Sequence, residues 1–234
     1  MIEVRQLNVV SGAFRLVDVS LQLEPRESVV LMGPNGAGKT TLLEAICGLR
    51  RITAGSIHLN DRDVTLEPPA ARAIGYVPQD VALFTTMSVR DNLAYGLKVR
   101  RVAEDTLNER VREVAQALRI VGLLERSPSR LSGGEARRVA IGRAIAFEPE
   151  VVLLDEPLAG LDEATRDEVC IALEAMRQAT GAAVLHVTHE PRDAERLADR
   201  VLRLESGQVR HDERFVASGA AGSDRQPRLA KHPR

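Results

Sequence analysis

Cysteine is scarce in this chain. Cys47 and Cys170 are the only two among 234 residues, and neither has a histidine or second cysteine at short spacing. That pattern argues against a metal cluster and gives no disulfide framework, so the chain suits a reducing compartment. Both cysteines lie in apolar, helix-like runs and are expected as buried thiols. An excess of charge of one sign is also missing: 32 basic residues face 33 acidic ones, for a net charge of −1. No strong global field therefore draws the chain to nucleic acid or acidic lipid. No apolar run approaches the roughly 18 residues of a membrane-spanning helix. The start, Met1-Ile2-Glu3-Val4, lacks the basic region and apolar core of a leader. Any service to a membrane is expected from a peripheral subunit. There is no internal repeat.

Apolar patterning divides the chain. Ile2 to Val10 and Phe14 to Leu23 read as strands, the second through alternating Val17, Val19, Leu21 and Leu23. Ser28 to Met32 is a continuous apolar run of the kind found in buried parallel strands. Ile57 to Leu59 and Gly75 to Val77 read as short strands. From Ser88 the period becomes helical. Ser88 is a candidate cap for Val89, Leu93 and Leu97, and Leu107, Val111, Val114, Ala115 and Leu118 mark one face. This helical insert is placed at about 87–148. Strands at Val151 to Leu154, Ala182 to Val187 and Val201 to Leu204 then alternate with helices at Ala164 to Arg177 and Pro191 to Ala198. Such alternation predicts a mostly parallel sheet in an α/β fold. The folded domain is expected over 1–211 and a disordered tail, rich in Ser, Gly, Pro and Arg, over 212–234.

The run Gly33-Pro34-Asn35-Gly36-Ala37-Gly38-Lys39-Thr40 fits G-x-x-x-x-G-K-S/T, between an apolar strand and the helix former Thr41-Leu42-Leu43-Glu44-Ala45-Ile46. In such a loop, backbone N–H groups of Asn35, Gly36, Ala37, Gly38, Lys39, Thr40 and Thr41 turn toward phosphate oxygens at a helix N-terminus. Lys39 is placed to reach the β- and γ-phosphates, and the Thr40 hydroxyl to ligate Mg²⁺. Val151-Val152-Leu153-Leu154-Asp155-Glu156 ends an apolar strand in two carboxylates. Asp155 would hold Mg²⁺ through water, and Glu156 would orient and deprotonate an attacking water. Leu131-Ser132-Gly133-Gly134-Glu135 contains an S-x-x-E capping box. A cap does not need two adjacent glycines. Close approach of an anion to backbone N–H groups would account for them.

The ordered set Gly33–Thr40, Gln79, Leu131–Glu135, Asp155-Glu156 and His189 resembles the nucleotide-binding subunit of ATP-binding cassette (ABC) transporters, from about Ile2 to Arg210. The resemblance implies a P-loop NTPase (RecA-like) core with an antiparallel β subdomain and an inserted helical subdomain. It implies ATP and Mg²⁺ as ligands and ATP hydrolysis coupled to transport as the activity. Gln79 matches the glutamine that touches Mg²⁺ or the attacking water, and His189 the switch histidine near the γ-phosphate. His186 is expected to be structural. Ala159-Gly160-Leu161-Asp162 matches a loop that crosses a dimer interface. Ser132, Gly133 and Gly134 would cap the γ-phosphate held by Lys39 of a second copy in a head-to-tail ATP sandwich.

Two features depart from the family pattern. Glu135 stands where glutamine is frequent, and Val10 and Ser11 occupy the region of the adenine-stacking aromatic, with Phe14 nearby. The stretch Pro68 to Asp80, with Leu83, Phe84 and Met87 to Leu93, resembles importer ATPases of the molybdate, tungstate, sulfate, iron, thiamine and polyamine group. That implies a permease partner, a solute-binding protein as a further one, a place on the inner face of the cell membrane, and an oxyanion or metal as a representative cargo. No nucleic-acid partner is expected, nor the extra C-terminal β-domain of many such importers. A soluble cluster-assembly ATPase and an exporter ATPase are the alternatives.

Overall fold

A computed structural model describes residues 1–214. In chain order the elements are β1 (Ile2–Ser11), β2 (Phe14–Leu23), β3 (Ser28–Met32), α1 (Lys39–Cys47), β4 (Ala54–Leu59), β5 (Arg62–Asp63) and α2 (Pro69–Arg72). These are followed by β6 (Ile74–Val77), α3 (Val89–Val99), α4 (Glu104–Ala117), α5 (Gly133–Ile145), β7 (Val151–Asp155) and α6 (Glu163–Thr180). The last described elements are β8 (Ala183–Val187), α7 (Pro191–Leu197), β9 (Arg200–Glu205) and β10 (Gln208–Arg214). Two compact units emerge. One holds Met1–Arg72 and the described residues from Ala183 on, and the other Ala73–Ala182.

The first unit contains the antiparallel sheet β2-β1-β4-β5. In β1 the buried residues are Ile2, Val4, Leu7 and Val9. The period of two slips between Val4 and Leu7, where the register shifts and Gln6 takes φ 47°. A bulge of this kind adds one residue to a strand and moves the following side chains to the other face. β2 has the same device at Asp18, φ 54°. It corrects the expected alternation: Leu16 is buried, whereas Val17 is 42 % exposed.

The same unit places β8, β3 and β9 side by side and parallel, with β10 antiparallel on β9. Ser28 to Leu31 are all buried, as the continuous apolar run requires. α7 packs Ala194 with Val30 and Val201. The expected tail starts too early, because 212–214 pair with Val201 and its neighbours as part of β10. The remainder of the expected tail, 215–234, lies outside the described residues.

Arg72 closes this unit from within. It is buried, and its guanidinium donates to the carbonyls of Ala45, Ile46, Thr65 and Glu67 at 2.8–2.9 Å. Two of those carbonyls belong to the last turn of α1, whose C=O groups have no partner within the helix. One side chain therefore caps the helix that follows the phosphate loop.

In the second unit β6 and β7 pair in parallel. The expected helical insert is present as α3, α4 and α5, with α5 packed on α3 and α6. Ser88 caps α3 by accepting from the Asp91 N–H. Val139, Ala140, Ile141, Ala144 and Ile145 of α5 are buried, so it is a core helix.

Candidate active site

The first unit carries the phosphate loop between β3 and α1. Gly38 is the N-cap of α1 at φ 98°, in the left-handed region. A Cβ there would come within 2.4 Å of the Phe14 ring, so glycine is required both for conformation and for space. No side chain caps this helix and no acid sits in its first turn. Its N–H groups are thus left to an external acceptor. Lys39 is buried, and its Nζ donates to the Gly33 and Pro34 carbonyls at 2.8 and 3.0 Å. The loop therefore curls around its own ammonium. Asn35, Gly36 and Thr40 are exposed, Thr41 is half-buried and Ala37 is buried.

His189 belongs to the same unit, in the turn between β8 and α7. Its side chain is half exposed, with Nε2 3.6 Å from a Glu190 carboxylate oxygen. The turn is fixed by Thr188, which accepts from the Glu190 N–H at 3.1 Å and donates to Asp193 Oδ2 at 3.1 Å. His186 is buried within β8, in keeping with a structural part.

The second unit carries the carboxylates and the glycine pair. All five residues of β7 are buried, including Asp155 at its end. Glu156 follows at φ 46°. A non-glycine residue held there costs about 1–2 kcal/mol, and such strain gathers at functional positions. Gln79 is exposed just beyond β6, and its backbone carbonyl accepts from Arg137 Nη1 at 2.8 Å. Asp162 caps α6, accepting from the Thr165 N–H at 3.0 Å and its hydroxyl at 2.9 Å. Hydrogen bonds from the Thr165 backbone and hydroxyl hold the Asp162 carboxyl below the usual carboxylate range.

The capping box of α5 is complete. Ser132 Oγ accepts from the Glu135 N–H at 3.2 Å, and Glu135 Oε2 from the Ser132 N–H at 2.8 Å. The two glycines differ in what surrounds them. A Cβ on Gly134 would stand 2.3 Å from Thr165 Cγ2, so packing of α5 on α6 favours glycine there whatever else the motif does. Gly133 is exposed, and a Cβ there would meet nothing closer than 3.9 Å. Packing gives Gly133 no reason to be glycine.

Near the expected adenine contact, Val10 is 47 % exposed and Ser11 Oγ accepts from Arg50 Nη1 at 2.8 Å. Phe14, two positions beyond the Gly12 turn, is the aromatic beside the phosphate loop. Sequence reading missed Arg137. The signal was available: two adjacent arginines, Arg137-Arg138, stand immediately before an apolar run.

Comparison with known proteins gives concordant matches. The family model described as "ABC transporter" matches residues 16–159. The molybdate/tungstate import ATP-binding protein WtpC of Thermococcus kodakarensis is 47 % identical over 196 residues, covering 84 % of this chain and 59 % of that protein. The maltose/maltodextrin import ATP-binding protein MalK of Escherichia coli is 41 % identical over 192 residues, 82 % of this chain and 52 % of the relative. The chain thus spans a little over half the length of these relatives. Among solved structures, the ATP-binding cassette MJ0796, a dimer in a post-hydrolysis state bound to ADP and Pi, matches with a TM-score of 0.81 and 26 % identity. That match covers 93 % of this chain and all of the other.

Proposed function

The chain belongs to the ABC transporter family, and on that footing we propose that it binds and hydrolyses ATP to drive a membrane importer of a small solute. One observation carries the reading. A single chain holds a lysine buried in its own loop at an uncapped helix N-terminus, and a buried Asp155 with Glu156 directly after it. The hydroxyl of Thr40, the amide oxygen of Gln79 and the carboxylate of Asp155 are hard oxygen donors that suit Mg²⁺. Bound Mg²⁺ would neutralise charge on the β- and γ-phosphates.

The loop N–H groups of 35–41 and the Lys39 ammonium bind phosphate oxygens. Glu156 takes the proton of the attacking water, and Gln79 and His189 orient that water and the γ-phosphate. Ser132, Gly133 and Gly134 of a second copy complete the site, with Gly133 the point of closest backbone approach. The dimer named for the solved relative supports this arrangement. Lys39→Ala is expected to lose nucleotide binding. Glu156→Gln should keep binding but slow phosphate release about 10²–10⁴-fold, the scale of general-base catalysis. Wild-type turnover in Glu156→Gln sinks the assignment.

The permease is proposed to dock through the segment after Gln79. Phe84 and Tyr95 are 37 % and 40 % exposed, with ring centroids 4.6 Å apart, and the Arg143 guanidinium lies 5.0 Å over Phe84. An exposed aromatic pair backed by a cation suits a short amphipathic helix laid in a groove. No helix among the described residues is long and apolar enough to cross a membrane. On the proposed function the chain sits peripherally, on the inner face of the cell membrane, against its permease. The relatives named for molybdate/tungstate and maltose import favour import over export. An oxyanion is the first cargo to test, with a solute-binding protein as its carrier.

A further inference from the structure

Arg137 and Arg138 follow one another in α5, yet only one has an acid. Arg138 Nη1 pairs with Glu168 at 2.7 Å. Arg137 is 6 % exposed, and among the described residues no carboxylate lies within ion-pair distance of it. Its Nη1 donates to the Gln79 carbonyl at 2.8 Å and the Pro78 carbonyl at 3.4 Å, and its Nε has no hydrogen-bond partner.

Burial pushes this guanidinium below its ordinary range, partly offset by the charge of Asp80. A buried cation without a paired anion is costly, and an apolar side chain of similar size would fill the space without that cost. What an apolar side chain cannot do is hold two carbonyls of a neighbouring segment. Arg137 lies on the helix that opens with Ser132, Gly133 and Gly134, whose first turn is closed by the capping box and which packs on α6. The carbonyls it grips belong to the exposed turn that carries Gln79.

We infer that Arg137 is a positioning residue that locks Gln79 to the helix of the Ser132–Gly134 motif, so that the two motifs move as one. This rests on the function proposed above. It adds a physical link between a nucleotide seated on Ser132–Gly134 and the glutamine serving a different nucleotide. A dimer built from such chains would couple its two sites through one guanidinium in each copy.

The test is a double-mutant cycle on steady-state ATP hydrolysis by the full chain. Arg137→Met should lower kcat about 10²-fold, the scale expected when a reacting group is misplaced by about 1 Å. KM for ATP should stay within about 2-fold, because the Lys39 loop is untouched. In a Gln79→Ala background, Arg137→Met should cost nothing further. Arg137→Lys, which keeps a cation and a donor, should recover part of kcat.

A packing role alone would multiply the two losses, and that result overturns the inference, as does wild-type kcat in Arg137→Met. Should Arg137→Met fail to fold by circular dichroism, Arg137→Gln and Arg137→Lys carry the same cycle. Amide hydrogen exchange supplies an arm independent of turnover. Arg137→Met should speed exchange at 79–82 and leave 35–42 unchanged, and equal protection at 79–82 overturns the link. A wild-type chain without ATP hydrolysis would instead defeat the proposed function, leaving exchange to decide Arg137.

Discussion

Asn92 grips Phe84 by both polar groups of its backbone. The side-chain Oδ1 accepts from the Phe84 N–H at 2.9 Å, and Nδ2 donates to the Phe84 carbonyl at 3.1 Å and the Ser88 carbonyl at 2.9 Å. Asn92 is fully buried, so these bonds face no competition from water. Asn92→Leu would leave the Phe84 N–H without its acceptor and take one of two donors from the Phe84 and Ser88 carbonyls, which keep the Met87 and residue-92 N–H groups. It should cost about 1–3 kcal/mol in urea unfolding and detach the permease through loss of a fixed Phe84. Phe84→Asp should detach the permease while the chain stays folded and hydrolyses ATP. Co-purification from detergent-solubilised membranes, beside circular dichroism of each variant, reads both outcomes. Normal attachment of Phe84→Asp would remove this segment from the docking surface.

Gly134 and Gly133 should part company under alanine substitution. Gly134→Ala drives a methyl into Thr165 Cγ2, the end of a β-branched side chain with little rotamer freedom. Overpacking of this kind costs about 1–3 kcal/mol. Thr165→Ser deletes the offending methyl and keeps the hydroxyl bonded to Asp162, so the double variant should regain most of the loss. Gly133→Ala should leave the unfolding midpoint unchanged or raise it, since open space surrounds the new Cβ, while ATP turnover falls. Equal thermal shifts for the two alanine variants would contradict the packing account.

Ser132→Arg, in the Glu156→Gln background, should bind ATP as a monomer and fail to dimerise. Sedimentation velocity with ATP distinguishes this from the capping-box reading, under which dimers form as before.

Cys47 gives a pH prediction. Burial pushes its thiol up to about 12 from an ordinary 9.0. The folded chain keeps the thiol neutral where the unfolded chain ionises it. The stability that depends on the neutral thiol is therefore complete below pH 9 and is lost as pH rises from 9 toward 12, at up to about 1.4 kcal/mol per pH unit. The stability difference between wild type and Cys47→Ala, from urea midpoints, should shrink across that range. A difference constant with pH would show that the thiol ionises freely in the fold.

The loop Gly33–Thr40 and the Asp155-Glu156 pair were legible in the sequence because each sits next to an apolar run that fixes its element. Leu16 was not, because a bulge at Asp18 turns its face inward and shifts Val17 out. Backbone conformation at a single aspartate leaves no periodic trace. β10 was missed because an edge strand with His211, Asp212 and Glu213 lacks an apolar stripe. The reason for Gly134 lies in Thr165, on another helix, and the part played by Arg137 in carbonyls of another segment. Contacts made only after folding have no local signature.

The hold of Lys39 on the Gly33 and Pro34 carbonyls bears on kinetics. A loop bracketed by its own ammonium needs no folding step to receive an anion. Two of the three Nζ donors hold these carbonyls, so a phosphate oxygen can take the third without displacing either. Stopped-flow mixing should then give a single phase whose observed rate climbs linearly with nucleotide concentration, without the plateau that an ordering step imposes. The two carbonyls would then keep the ammonium aimed for as long as a nucleotide stays, and residence would be set by the other contacts to its phosphates.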